Sequence, residues 1–214
     1  MASNDRIDEN GWIIEVKEGL GIEEEEEEKE LRVSVFNVPK ELLAVKTEAY
    51  VPQCLSIGPY HHWRPELYDM ERYKLTVARR FQKRIKELGS FESVVVKEIK
   101  ERDWQIRSCY HKFIDYDEET LSWLMALDTA FLLECLQFYV RHHDDQTSQS
   151  DVKHLGRILD PKAASAVHNS IVRDLMMLEN QVPVFLLQKL LELQLGSRAK
   201  AEKRLSRYGK YGNF

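Results

Sequence analysis

The sequence predicts a mainly α protein: a helical domain preceded by short extended segments and flanked by charged tails. Three observations carry this. Apolar residues recur at helical spacing between 65 and 195, prolines crowd positions 39 to 65, and charge is segregated at the two ends. With 214 residues, 43% hydrophobic and 10% aromatic, the chain can bury one good core. Its net charge of -5 averages two opposed ends: residues 1–30 carry twelve acidic and three basic side chains, and residues 197–214 carry six basic and one acidic. Blocks of like charge repel themselves and bury little apolar surface. Residues 1–30 therefore read as an acidic disordered tail, 31–195 as the helical domain and 196–214 as a basic tail.

Taken in order, Pro39, Pro52, Pro59 and Pro65 disfavour helix at the residues before them, so this stretch reads as extended segments and turns, with Val33–Phe36 a short strand. Pro65 suits the first turn of a helix that carries Leu67, Met70, Val77, Phe81 and Leu88 on one face and closes at Gly89. Its other face is basic, with Arg72, Lys74, Arg79, Arg80, Lys83, Arg84 and Lys86. A second helix starts after Ser90 and runs through Val95, Ile99 and Ile106 towards Tyr110. A third follows the acidic first turn Asp117–Glu119 and is the most apolar in the chain. The polar run His142–Asp151 has loop composition, and a last helix pair covers Ile171–Leu178 and Pro183–Leu195.

Polar residues on apolar faces are the informative exceptions. Ideal helical projection places Asp128 near the middle of an arc formed by Leu121, Leu124, Leu127, Phe131, Leu132 and Cys135. A carboxylate there must be paired, with Arg107 and Arg173 as candidates between which the sequence does not choose. In the last pair, Leu178 falls with Ile171 and Leu175 on the core side and Glu179 at its edge. Pro183 sets a corner occupied by Asn180 and Gln181. Glu179, Asn180 and Gln181 are expected to cap that corner, Glu179 by accepting from the first N–H groups of the following helix.

Other chemistry finds little support. His61 and His62 point different ways as neighbours and lack a ligand at metal spacing, so no metal or other cofactor is assigned; after the Gly58-Pro59 turn they read as packed beside Tyr60. Cys54, Cys109 and Cys135 form no Cys-x-x-Cys pair, and no nucleophile motif surrounds Cys54. Phosphate-binding glycine loops are absent, and the basic faces are weak signals for nucleic acid. No continuous apolar run approaches the ~20 residues of a membrane helix. The first residues lack the apolar core of a secretory signal, so a cytoplasmic location is expected.

Four blocks in order resemble a known family. Val38-Pro39-Lys40 through Tyr50-Val51-Pro52, with Ser56-Ile-Gly-Pro-Tyr-His-His62 and Met70-Glu71, looks like the opening of the plant family called domain of unknown function 247, the UPF0481 type of plant protein. Arg107–Tyr110, Leu127–Glu134 and Asp174–Phe185 are similar to its later blocks, so the resemblance covers residues 35 to 193. Trp63 stands where the family pattern has glycine, and Thr129-Ala130 replaces its small pair. The resemblance implies a chain about twice as long in other members, many ending in a hydrophobic membrane helix, with no established activity or cofactor. Some members act in self-incompatibility. The expected function is protein recognition, with Asp128, Asp174, Glu179, Asn180, Gln181, Pro183, Gly58, Pro59, Tyr60, His61 and His62 as structural motif residues. The alternatives are peripheral membrane attachment through the basic faces, or an enzyme in which Asp128, Glu179 and His61 or His62 line one pocket.

Overall fold

The structure, a computed structural model, describes residues 33–143 and 166–211; the acidic tail 1–30 and most of the loop expected over 142–151 lie outside them. The expected strand at Val33–Phe36 reduces to one parallel bridge, Val35 with Tyr110. Ser34 and Val35 N–H both donate to Cys109 O at 2.9 Å, and His111 N–H donates to Val35 O at 3.0 Å. Pro39 then caps a short helix, α1 (Lys40–Val45), which buries none of its residues. Beyond it the chain runs without regular structure, broken by short 3-10 turns at Thr47–Ala49 and Pro59–His61, to a third at Pro65–Met70.

α2 (Glu71–Arg84) follows and buries Lys74, Val77, Ala78 and Phe81. It stops short of the expected end: Ile85 N–H is shared between the Phe81 and Gln82 carbonyls, which tightens the last turn, and Leu88 is left 58% exposed. The single helix expected from Ser90 to Tyr110 is instead a series. Ser90 and Ser93 cap one another through backbone and hydroxyl at 3.0 Å, a π-helical turn covers Glu92–Val96, and α3 (Lys97–Lys100) and α4 (Asp103–Ser108) are separated by non-helical Arg102.

α5 (Glu118–His143) is the core helix. Its start is capped by Asp117, whose carboxylate accepts Thr120 N–H at 2.8 Å. Leu121, Met125, Phe131 and Cys135 on it are all but fully buried, and α2, α3, α7 (Val184–Leu195) and α8 (Arg198–Tyr211) pack around it. By length and composition its Glu118–Val140 span could cross a membrane, but 72% of that apolar window is buried among the other helices. α6 (Ala166–Leu175) ends three residues before the expected Leu178, which is 57% exposed instead of lying in the core.

Most of the segment 196–214 expected as a basic tail, residues 196–211, continues the domain. α7 ends at left-handed Gly196, and α8 turns back along α7 and α5 with Ala201 and Tyr208 buried and Leu205 against the core. Ala201, Leu205 and Tyr208 form an i, i+4, i+7 stripe among the charges, enough apolar surface to dock the helix while Arg198, Lys200, Lys203, Arg204 and Arg207 stay in solvent.

Candidate functional site

Residues 51–58 form a bent segment that pairs with no strand among the described residues, so their backbone groups need partners from elsewhere. Three side chains from the helical body supply them. Asp174, in the last turn of α6, receives the N–H groups of Gln53, Cys54 and Leu55 on Oδ2 at 3.0, 2.6 and 3.0 Å, and Arg173 Nη2 on Oδ1 at 3.1 Å. Asn180 accepts Ile57 N–H at 2.6 Å and donates from Nδ2 to Leu55 O at 2.9 Å and Asp174 O at 2.8 Å. Asp128 accepts Gly58 N–H at 2.8 Å. Charge-assisted bonds of this kind are each worth about 1.5–3 kcal/mol, and an orphaned buried partner costs a similar amount.

The corner after α6 is held by its own polar side chains. Gln181 Nε2 donates to Leu175 O at 2.7 Å and Met177 O at 2.9 Å, closing the free carbonyls of the helix end. Its backbone carbonyl accepts the Tyr110 hydroxyl at 2.9 Å. Gly58 lies against that same carbonyl: at φ 77° it is in the left-handed region, and a Cβ there would come within 2.3 Å of Gln181 O. Pro183 ends the corner as the residue before α7.

The partner of Asp128 is Lys74, neither Arg107 nor Arg173. Lys74 Nζ lies 2.6 Å from Asp128 Oδ1 and 2.7 Å from Glu71 Oε1, and the lysine side chain is fully buried. Burial alone would lower the ammonium's pKa, but Asp128 and Glu71 outweigh it and hold the pKa above its usual value. Burial raises the Asp128 carboxyl, against the pull of Lys74 and the Gly58 N–H. Arg107 is spent elsewhere, on Asp103 at 2.6 Å and on the Ile114 and Tyr116 carbonyls at 2.7 and 2.9 Å. Arg173 turns to Asp174. Lys74, which the sequence groups with the basic face of this helix, stands four residues after Met70 and three before Val77, inside the apolar stripe. That spacing is the signal that locates it.

Glu179 does not cap α7. Its Oε1 accepts Val38 N–H at 2.7 Å, and its Oε2 lies 3.5 Å from His61 Nε2. Burial, with Arg64 and Lys112 nearby, lowers His61 to about 4, so at neutral pH a neutral imidazole faces the carboxylate. Tyr60 accepts Lys112 N–H at 2.8 Å, and Tyr116 donates to Pro59 O at 3.0 Å. His62 stands edge-on to Trp63 at 4.7 Å, and Trp63, 62% exposed, stacks on Tyr116 at 6.0 Å. Cys54 is half-buried, and burial first, then Asp174, raises its thiol pKa.

Chemically, the arrangement binds backbone. Asp128 and Glu179 are bonded in separate places, and none of the described cavities is lined by either: a hollow of about 490 Å³ lies beside Tyr50, Asn169, Arg173 and Met176, and an apolar one of about 140 Å³ between Leu132, Tyr139 and Val184. Among the described residues no group of three or more His, Cys, Asp or Glu is placed to hold a metal ion.

Comparison with known proteins agrees with the four blocks. The family model DUF247, plant protein of unknown function, matches residues 35–211. The UPF0481 protein At3g02645 of Arabidopsis thaliana is 40% identical over 198 residues, 92% of this chain and 34% of the relative. The UPF0481 protein At3g47200 of the same plant is 30% identical over 173 residues, 81% of this chain and 33% of the relative. The chain thus spans about a third of the length of these relatives. No solved structure matches it.

Proposed function

We propose, for a chain that belongs to the plant protein family DUF247, whose function is unknown, that it recognises another protein and carries out no chemistry of its own. The observation that supports this is the fate of the motif residues: Asp128, Asp174, Glu179 and Asn180 all end on backbone amides of residues 38–58, and Asp128 also on buried Lys74. Carboxylates consumed in this way hold a scaffold, and a pair set aside for acid–base catalysis would instead converge on a shared pocket. Recognition then falls to the surface that the scaffold presents, in the cytoplasm. The test is capture of the tagged chain from plant cells under chemical crosslinking. A defined protein partner in stoichiometric yield is expected, and recovery of the chain alone would overturn the reading.

A second reading, peripheral membrane attachment, is favoured by α8. Arg198, Lys200, Lys203, Arg204 and Arg207 are exposed on it while its apolar stripe faces α5 and α7. Such a face meets an anionic leaflet by screened electrostatics. Pelleting with phosphatidylserine vesicles at low salt, lost at high salt, is the expected signature; no pelleting at low salt removes it.

A further inference from the structure

α6 carries a face that its packing does not use. Asn169, Val172, Arg173 and Met176 stand at i, i+3, i+4 and i+7, so they line up along one side of the helix and of the turn that ends it. Ile171, Asp174 and Leu175, on the opposite side, are buried. A solvent-facing helical stripe is ordinarily polar throughout, yet this one sets Val172 and the 56%-exposed Met176 beside Asn169 and Arg173. Ala49 and Tyr50, from the 3-10 turn Thr47–Ala49 and its cap, join Met177 and Leu178 in completing the hollow of about 490 Å³. Small-molecule sites fall in this range, roughly 300–1,000 Å³, and are likewise apolar with a few convergent polar groups.

The polar groups here suit an anion. Arg173 supplies the cation, and among the described residues no carboxylate lines the hollow. Asp174 behind it is fully buried: Oδ2 is filled by the N–H groups of Gln53, Cys54 and Leu55, and Oδ1 takes Arg173 Nε and Nη2 at 3.3 and 3.1 Å. The guanidinium is thus oriented by a fixed anion while 44% of its side chain stays exposed, and Nη1 has no partner among the described residues. An arginine held in this way can donate two N–H groups to an incoming carboxylate with little further ordering. Asn169, one turn before it on the same face, adds an amide donor. The methionines beside them adapt their shape to what they meet.

We infer that this hollow is a binding site for a small organic acid with an apolar body, the carboxylate on Arg173 and Asn169 and the body against Tyr50, Val172, Met176 and Leu178. The site goes beyond the recognition reading and stands or falls without it.

The probe is 3-phenylpropionate, titrated into the full chain carrying isotope-labelled methionine methyl groups and followed by NMR. The Met176 and Met177 signals should shift and saturate, with half-saturation at about 1 mM for a ligand of this size. Buried Met70 and Met125 should stay in place. 3-Phenylpropionamide, of the same size without the charge, is expected to bind at least tenfold more weakly. Arg173→Gln should weaken binding of the acid at least tenfold and leave that of the amide unchanged, and Arg173→Lys should recover part of the loss. Folding of each variant is read from the Met70 and Met125 signals. Should Arg173→Gln disturb them, Asn169→Ala on the exposed face serves, with a severalfold loss. No saturable shift at Met176 and Met177, equal binding of acid and amide, or undiminished binding of the acid by the folded variant would overturn the inference.

Discussion

Lys74 and Asp128 form a buried pair in which each carries the cost of the other. Removing one partner leaves a charge or a stranded acceptor in the core, so Lys74→Met is expected to cost about 3–5 kcal/mol, read from the urea midpoint. Replacing both, as Lys74→Met with Asp128→Leu, should recover part of that loss but not all, because Gly58 N–H would lose its acceptor. A double variant no better than the single would show that the pair was not the cause. His61 carries a pH dependence of definite sign. Its folded-state pKa of about 4 lies below the ordinary 6.5, so under pH 6.5 the unfolded chain takes up a proton that the folded chain refuses. Stability should therefore fall as pH drops from 6.5 towards 4, by at most ~3 kcal/mol, and His61→Gln should flatten that part of the curve of melting temperature against pH.

At the scale of elements, the contact between residues 53–58 and the corner after α6 turns on fit. Gly58→Ala adds a Cβ against Gln181 O at a positive φ, and a loss of ~2–4 kcal/mol is expected. Gly196→Ala is the matched control, since its φ is 63° but nothing lies within 4 Å of the new Cβ; only the cost of left-handed backbone, ~1–2 kcal/mol, should remain. Equal thermal shifts in the two would remove the close approach from the account. Asn180→Ala strands Ile57 N–H, Leu55 O and Asp174 O in buried surroundings, and a drop of ~2–4 kcal/mol in the same melting experiment is expected. An unchanged midpoint would mean that water replaces the amide without loss.

Across the whole molecule, α8 tests where the domain ends. Deleting residues 197–214 should lower the urea midpoint by the equivalent of at least ~2 kcal/mol, because Ala201, Leu205 and Tyr208 leave α7 and α5 uncovered. A truncated chain as stable as the full one would return the segment to the status of a solvated tail. The sequence by itself determined the helical class, the core helix begun at Asp117, the corner set by Pro183 and the inward placement of Asp128, because hydrophobic period, capping and proline geometry are local properties. The same local rules misplaced Lys74, the end of α2, Leu178 and α8, where one apolar stripe had to be weighed against many charges. The partners of Asp128, Asp174 and Glu179 were decided only by tertiary structure. Their bonds join residues 70 to 141 positions apart, and a buried carboxylate announces that it needs a donor without saying which of many backbone amides the folded chain will bring to it.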